Sequence, residues 1–353
     1  MSSNGNRGKL LAASSFFLVL LLVLPLDARN LPGQESMLDP LAQGLQLYRE
    51  GKVKEAVGVL KSATKKQKAN PDAWHYLGLA QFKIGDVKSA TKSFQQAIKL
   101  RPDFAPSRIS LAILLLRAGK LRDAAREAEQ ARTIDPQSKD AHYVVAEVRL
   151  SEGAPEDALK AVDTALRIDN RFQEAWLLKS YAWLGLFRKE TLEQQGKSDS
   201  ELPSEQRYEH YKHLGDAADS LETYLKLNQN AAENAFWREQ LDAMRFYKKW
   251  AADRQANSQV QPMKSSLRPT ITYRERAQYT PEARAMGVSG IVLLMAAYWN
   301  DGQLRHILVL QGLSHGLTQQ AVTAARKIRF TPAMKDGKPV SVVGRIEFNF
   351  NLY

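Results

Sequence analysis

Hydrophobic residues recur at helical spacing through most of the first ~250 residues of the chain. In the stretch DAWHYLGLAQFKIGDVKSATKSFQQAIKLRP, Trp74, Leu77 and Phe82 lie on one face of a predicted first helix. Phe94 and Ile98 lie on one face of a second, with a Gly-Asp pair marking the turn between the two helices. The pattern therefore predicts a helical hairpin.

This helical pattern repeats every 34 residues. Units begin near residues 37, 71, 105 and 139. A fixed period of this length indicates one helix pair used repeatedly, with close helix contacts at the small residues. Small residues return at this step in three positions: Gly51, Gly85, Gly119 and Gly153; Ala56, Ala90, Ala124 and Ala158; and Gly44, Gly78, Ala112 and Ala146.

A fifth unit begins well, with Trp176 in WLLKSYAWLGLF, and is then interrupted by a polar insert at about residues 188–208. The segment AADSLETYLKLNQN resumes the second-helix pattern. A last helix, AENAFWREQLDAMRFYKKWAADRQ, is highly charged, and we expect it to cap the array with a polar outer face. The array is thus predicted over residues 38–253, after a short linker at 29–37.

After this array the pattern changes. Residues 254–267 have no periodicity and are predicted to be a linker. Four strand-like runs follow, and Asn300-Asp301-Gly302 between the middle two is a strong hairpin signal. The segment GLTQQAVTAARKIRF is predicted to be a helix. The fold class is therefore an α-helical solenoid followed by a small α+β domain at residues 268–353.

The last predicted strand alternates apolar and polar positions to the end of the chain. Its polar face carries Arg345, Glu347, Asn349 and Asn351, with Val343 the exception. A strand at the edge of a sheet leaves N–H and C=O groups unpaired, and an added peptide strand can pair with them. We interpret these four residues as the face that such a partner meets. The alternatives are that the strand is interior, or that it pairs with a second copy of the chain to form a homodimer.

Charge and cysteine content narrow the class of protein. The net charge is +12, but Lys and Arg are spread along the chain, which favours a basic solvated surface over a dedicated anion-binding patch. There are no cysteines, which excludes structural disulfides, thiolate metal sites and catalytic thiols.

The N-terminus predicts export. A short basic segment is followed by 17 uncharged residues, 10–26, and a small residue at the expected cleavage point near Ala28. This layout is that of a signal peptide over residues 1–28, and the alternative is an uncleaved inner-membrane anchor. Either way we expect the rest of the chain in the periplasm, where partners are proteins or peptides and a nucleic acid is not expected.

The repeated unit resembles the tetratricopeptide repeat. The resemblance rests on the 34-residue period and on one set of residues in the second unit: Trp74, Leu77, Gly78, Gly85, Ala90, Phe94, Ala97 and Pro102. It implies a groove that binds a peptide or protein. The groove residues implied by the family are Arg49, His75, Phe82, Lys83, Ile109, Arg117 and Tyr143.

The last domain resembles the C-terminal domain of the TonB family. The string RFTPAMKDGKPV is the most specific match, and Tyr279-Thr280 and Ile328 depart from the family pattern. Further matches are Tyr279, Ala283-Arg284, Gly287, Gly290, Val292, Asp301-Gly302, Leu317, Ala321, Ala324 and Phe348. The resemblance implies a periplasmic domain that binds an extended segment of an outer-membrane transporter by strand addition.

The sequence matches the energy-transducing members of the TonB family less well than it matches their C-terminal domain. The resemblance would require a histidine in the anchor and a Pro-rich spacer, but residues 10–26 contain no His and no Pro-rich stretch lies between 29 and 267. We therefore expect an exported adaptor that links a repeat-bound partner to an envelope component. A divergent inner-membrane energy transducer for outer-membrane transport is the alternative.

Catalytic residues are not evident. Among the six histidines, only His210 and His213 are close, at an i, i+3 spacing beside Glu209, and an exposed charged helix end explains them. The segment QQGKS lacks the first glycine of a phosphate-binding loop, which would fall at Thr191. We expect no enzyme activity, no cofactor and no metal.

Overall fold

The computed structural model describes residues 39–193, 209–228, 231–253, 260–264 and 266–352. The predicted signal peptide, the linker at 29–37 and residues 194–208 of the predicted insert lie outside these ranges. The described chain divides into two compact units, with the division at Val148 and Arg149. Each unit is described by itself.

The first unit consists of antiparallel helix pairs. Its helices are α1 (Pro40–Arg49), α2 (Val53–Lys66), α3 (Pro71–Lys83), α4 (Val87–Leu100), α5 (Ala105–Arg117), α6 (Leu121–Ile134) and α7 (Lys139–Ser151), of which α7 continues into the second unit.

Glycine and proline place the helix ends and the close contacts of this unit. Proline occupies the first turn of α1, α3 and α5. Gly85 has a φ of 84°, a left-handed conformation that glycine adopts without strain, in the turn between α3 and α4. A Cβ on Gly78 would lie 2.6 Å from the ring of Phe94. The small residues of the 34-residue pattern therefore allow the two helices of a pair to approach closely.

After the end of α7, the second unit continues with α8 (Pro155–Ile168), α9 (Gln173–Glu193), α10 (Lys212–Leu227) and α11 (Ala231–Asp253), with a 3-10 turn at Glu209–Tyr211 before α10. The helix α9 is 21 residues long and extends into the predicted polar insert. The rest of that insert is not among the described residues.

The remaining elements build the α+β domain. In chain order they are β1 (Val260–Pro262), β2 (Thr270–Tyr273), α12 (Pro281–Ala285), β3 (Gly290–Tyr298), β4 (Leu304–Gln311), α13 (Leu317–Arg326), β5 (Arg329–Thr331), β6 (Ala333–Lys335) and β7 (Lys338–Phe350). The main sheet has the order β1-β7-β3-β4, with β6 also pairing with β7. A separate two-stranded sheet joins β2 and β5. The predicted hairpin is confirmed, because β3 and β4 pair antiparallel and Gly302, in the turn between them, has a φ of 81°.

Both faces of the main sheet are buried. On one face, Leu294, Ile346 and Phe348 pack with α13. On the other face, Leu293, Met295 and their neighbours share a core with α10 and α11. The strand β3 is an almost unbroken apolar run, which is typical of a strand covered on both sides.

The helix α11 differs from the prediction of a polar cap. Its apolar residues Trp237, Leu241, Met244 and Tyr247 recur at helical spacing and are all buried in the core shared with the sheet. The exposed charged residues between them cover the opposite face. The last helix therefore packs on the α+β domain, so that this domain and the preceding helices belong to one compact unit.

Candidate partner-binding site

The terminal strand β7 has a partner along one side. It pairs antiparallel with β3 from Val342 to Phe350, in register with Tyr298 to Gly290. The short strand β6 pairs with Lys338–Val340. The side of β7 that faces away from β3, called the outer edge below, is where an added strand could bind.

The first part of this outer edge is occupied by β1, from the region predicted to be a linker. β1 runs parallel to Ser341–Val343, and the N–H of Met263 donates a hydrogen bond of 2.9 Å to the Val343 carbonyl. The indole N–H of Trp250 donates to the carbonyl of Val260 at 2.9 Å, which ties β1 to α11. The alternative of an interior strand therefore holds at Ser341–Val343, because the chain itself covers this part of the outer edge.

Beyond Val343, no strand within the described part of the chain pairs with the outer edge. The carbonyl of Glu347 accepts a hydrogen bond from the side chain of Arg274, so its main-chain groups face this edge. Main-chain groups alternate between the two sides of a strand. Those of Asn349 therefore face the same way as those of Glu347. We call Glu347–Asn349 the open edge.

The side chains predicted to meet a partner lie on or near this open edge. Glu347, Asn349 and Asn351 are exposed, whereas Arg345 is half-buried. The charge of Arg345 acts on the buried phenol of Tyr211, where burial raises the pKa of the phenol and Arg345 opposes that effect. Binding by these four residues remains a prediction.

Arg274 is a residue of this site that the sequence did not indicate. It follows β2, outside the terminal strand, and its guanidinium lies 4.9 Å from the centre of the Phe348 ring. It also donates to the Glu347 carbonyl. Its exposed side chain thus occupies one acceptor that a partner strand would otherwise use.

The opposite edge of the sheet, on β4, is covered by α11. The amide of Gln240 donates to the carbonyl of Ile307 at 3.1 Å and accepts from the N–H of Val309 at 2.8 Å, as a neighbouring peptide group would. The hydroxyl of Tyr247 donates to the carbonyl of His306 at 2.7 Å. These contacts occupy main-chain groups of β4 that an added strand would need.

The first unit carries a second candidate surface. Arg49, Lys83 and Arg117 stand 34 residues apart and each is the last residue of its helix. Lys83 lies 5.1 Å from the centre of the Tyr48 ring, and Arg117 lies 4.8 Å from that of Phe82. Cations at helix C-termini also stabilise the helix dipole, so their position has a structural explanation as well.

Three of the predicted groove residues are buried. His75 and Ile109 are 3% and 4% exposed, and Nδ1 of His75 lies 2.9 Å from the hydroxyl of Ser107. Tyr143 is also buried, and its hydroxyl donates to Glu147 at 3.0 Å. These three side chains are therefore buried within the helical array, and ligand binding by the predicted groove residues, Arg49, Phe82, Lys83 and Arg117 included, remains a prediction.

The paired histidines His210 and His213 are both buried, so the expectation of an exposed helix end is wrong for them. The ring of His210 stacks on Phe187, and burial, with a smaller effect of His213, lowers the pKa of His210 to about 4. His213 contacts Glu190 at 3.2 Å. Within the described ranges no group of three or more His, Cys, Asp or Glu side chains is placed to hold a metal ion.

Family models match both parts of the chain. The model for the Gram-negative bacterial TonB protein C-terminal domain matches residues 275–352. Three tetratricopeptide repeat models match residues 44–85, 71–104 and 109–171. This chain combines tetratricopeptide repeats with a TonB-type C-terminal domain. The combination predicted from the sequence is thereby confirmed, and both modules are of kinds that typically mediate protein interactions.

Several solved structures are similar to this chain. A tetratricopeptide repeat protein of Thermus thermophilus is 17% identical, with 59% of this chain and 97% of that chain covered and a TM-score of 0.43. PilF of Pseudomonas aeruginosa is 14% identical, with 62% and 90% covered and a TM-score of 0.46. MamA of Desulfovibrio magneticus RS-1 is 18% identical, with 54% and 94% covered and a TM-score of 0.42.

Among curated proteins, none matches this chain. Among the helices of the described ranges, none combines the length and the apolar character needed to cross a bilayer.

Proposed function

We propose that this chain is an exported periplasmic adaptor whose TonB-type domain captures an extended segment of an envelope protein by strand addition. The open edge at Glu347–Asn349 is the observation that carries the proposal, because the main-chain groups of Glu347 and Asn349 face away from β3 and no described strand pairs with them on that side. Backbone hydrogen bonds would supply affinity, and Arg345, Glu347, Asn349 and Asn351 would select among sequences. The partner is an outer-membrane transporter or another component of the cell envelope.

The tetratricopeptide repeats would hold a second protein or peptide. Arg49, Lys83 and Arg117 favour an acidic segment or a C-terminal carboxylate, since each is a cation on the helical unit. The chain would then link this partner to the one held at the open edge.

Asn349→Pro tests strand addition. Its N–H faces the outer edge, so proline removes a donor to the partner without removing a hydrogen bond to β3. We expect the full chain carrying Asn349→Pro to capture its partner from envelope extract at less than about one tenth of the wild-type level, from loss of roughly 1.4 kcal/mol or more. Asn349→Ala keeps the N–H and is the matched control for loss of the side chain.

Equal capture by Asn349→Pro and wild type, with both folded by circular dichroism, would exclude strand addition at this edge. Equal loss in both variants would mean that the amide side chain, and not the backbone, binds the partner. Sedimentation of the free chain decides whether the open edge instead pairs with a second copy.

The periplasmic location has its own test. N-terminal sequencing of the mature protein should give a start near Arg29 if residues 1–28 are a cleaved signal peptide. A mature protein that retains residues 10–26 would favour the anchored energy transducer over the adaptor.

A further inference from the structure

A cavity of about 290 Å³ lies inside the second unit and has no part in strand addition. Helices α9, α10 and α11 line one side, and β4 with the segment leading into α13 lines the other. Its wall is largely aliphatic and aromatic, with Leu177, Leu221, Tyr181, Trp237 and Met244 among the lining side chains.

The buried polar side chains of the wall are occupied by bonds within the protein. The hydroxyl of Ser180 donates to the carbonyl of Ala217 at 2.8 Å. The amide of Gln240 is bound to β4 on both of its sides. The hydroxyl of Thr318 accepts from the N–H of Leu313 and donates to its carbonyl. A buried water needs two to four polar partners, so this wall favours an apolar occupant over water.

The size of the cavity sets the size of the occupant. A protein cavity of about 150 Å³ lined by apolar side chains is large enough for benzene. The present cavity is about twice that size, which corresponds to roughly a dozen non-hydrogen atoms. A space of this size left empty would forfeit dispersion contacts along its whole wall.

The cavity is open to solvent on the side of α13 and the segment leading into it. Ser314, His315 and Gln319 line this side, and Gln319 is exposed. The hydroxyl of Ser314 lies 2.7 Å from Nδ1 of His315. The cavity thus joins an apolar interior to a polar mouth, which fits a molecule with an apolar body and one polar end.

We propose that this cavity binds a single alkyl chain of about ten carbons, with the polar head of the ligand at Ser314 and His315. The chain fits the volume, and the aliphatic wall excludes a charged or multiply polar body. A free fatty acid and an acyl chain of an envelope phospholipid both carry this chemistry. The inference does not depend on strand addition, because the cavity and the open edge share no lining residue.

A chain-length series tests the proposal on the full-length wild-type protein. Alkanoates of 4 to 14 carbons, and short-chain phosphatidylcholines, are titrated by isothermal calorimetry below their micelle concentrations. Burial of each added methylene should tighten binding about fourfold until the cavity is full at about ten carbons, and affinity should then level off. Saturable binding of either ligand class with this plateau supports the proposal and identifies the source of the chain.

A substitution that fills the cavity, paired with a control on the same strand, also tests the proposal. Val309 is half-buried and lines the cavity, whereas Ile307 is half-buried on the same face of β4 and does not line it. Val309→Phe should weaken decanoate binding at least tenfold, and Ile307→Phe should leave it within about threefold of wild type. No saturable binding of any chain, affinity that keeps rising from 10 to 14 carbons, or equal effects of the two variants would overturn the proposal.

Discussion

The two edges of the main sheet differ in how far other segments of the chain cover their main-chain groups. The β4 edge lies against α11, where Gln240 and Tyr247 occupy its main-chain groups. The β7 edge is covered by β1 at Ser341–Val343 and carries no described strand over the open edge.

Unpaired edges invite association with other strands, and proteins usually cover, shorten or charge them. Here a side-chain amide stands in for a peptide group on β4, while a three-residue strand leaves β7 partly uncovered. We therefore propose strand addition at the β7 edge and not at the β4 edge. The helix α11, which precedes the domain, makes this difference because it covers the β4 edge.

Gln240→Leu should have the largest effect on this comparison. Gln240 is 2% exposed, and its loss leaves the carbonyl of Ile307 and the N–H of Val309 buried without their partner. We expect a loss of about 3 kcal/mol in the free energy of unfolding, measured with urea by tryptophan fluorescence. Gln240→Glu keeps an acceptor for the Val309 N–H but buries a carboxylate against the Ile307 carbonyl, so at pH 7 it should lose at least as much. An unchanged urea midpoint for Gln240→Leu would contradict the account of the β4 edge.

Arg274→Ala should have a smaller effect, and it should strengthen partner binding. Arg274 occupies the Glu347 carbonyl in the free protein, so its removal returns that acceptor to the open edge. We expect partner affinity to rise about two- to fivefold, which corresponds to one hydrogen bond that need not be broken. Arg276→Ala, also exposed and two residues along, is the control and should leave affinity unchanged. Weaker binding by Arg274→Ala would show instead that Arg274 contacts the partner.

Acidification should slightly lower the folding stability through His306, which lies on the covered β4 edge. His306 of β4 stacks on Phe246 of α11 with 3.8 Å between ring centres. Burial, and then the charge of Arg305, lowers the pKa of His306, while Asp242 raises it. The unfolded chain therefore binds this proton more readily than the folded protein. The stabilising contribution is complete above about pH 6.5 and is lost as the pH falls through the folded-state pKa.

The measurement is the urea midpoint at pH 7 and pH 5. His210 also has a lowered pKa, so wild type is compared with His306→Phe, which keeps the stacked ring and removes the titration. We expect the acid-induced loss to be smaller in His306→Phe. An identical loss in both proteins would show that His306 does not titrate differently on folding.

Local patterns in the sequence were sufficient for the helix pairs, the hairpin at Asp301-Gly302, helix α13 and the alternating faces of β7. These features depend on residues close in sequence, so periodicity and turn chemistry report them directly. The uninterrupted apolar run of β3 also signals cover on both faces. That signal was the available hint that α11 would pack on the sheet.

The parts that determine which edge is open were not predicted. β1 has three residues, one of them Pro262, and it acquires strand structure from a partner about 80 residues away. Gln240 sits among charged residues on α11, and nothing in its neighbourhood distinguishes it from a solvated glutamine. Arg274 likewise gains its role from Glu347, which is remote in sequence. Contacts between distant segments decide these roles, and one sequence alone does not reveal them.

Amide hydrogen exchange along β7, resolved by residue with nuclear magnetic resonance, tests the central claim most directly. In the free protein, the N–H groups of Ile346 and Phe348 face β3 and should exchange slowly, whereas those of Glu347 and Asn349 face the outer edge and should exchange quickly. Binding of the partner captured from envelope extract should slow Glu347 and Asn349. Slow exchange at all four residues in the free protein would mean that the outer edge is already covered, and would contradict strand addition there.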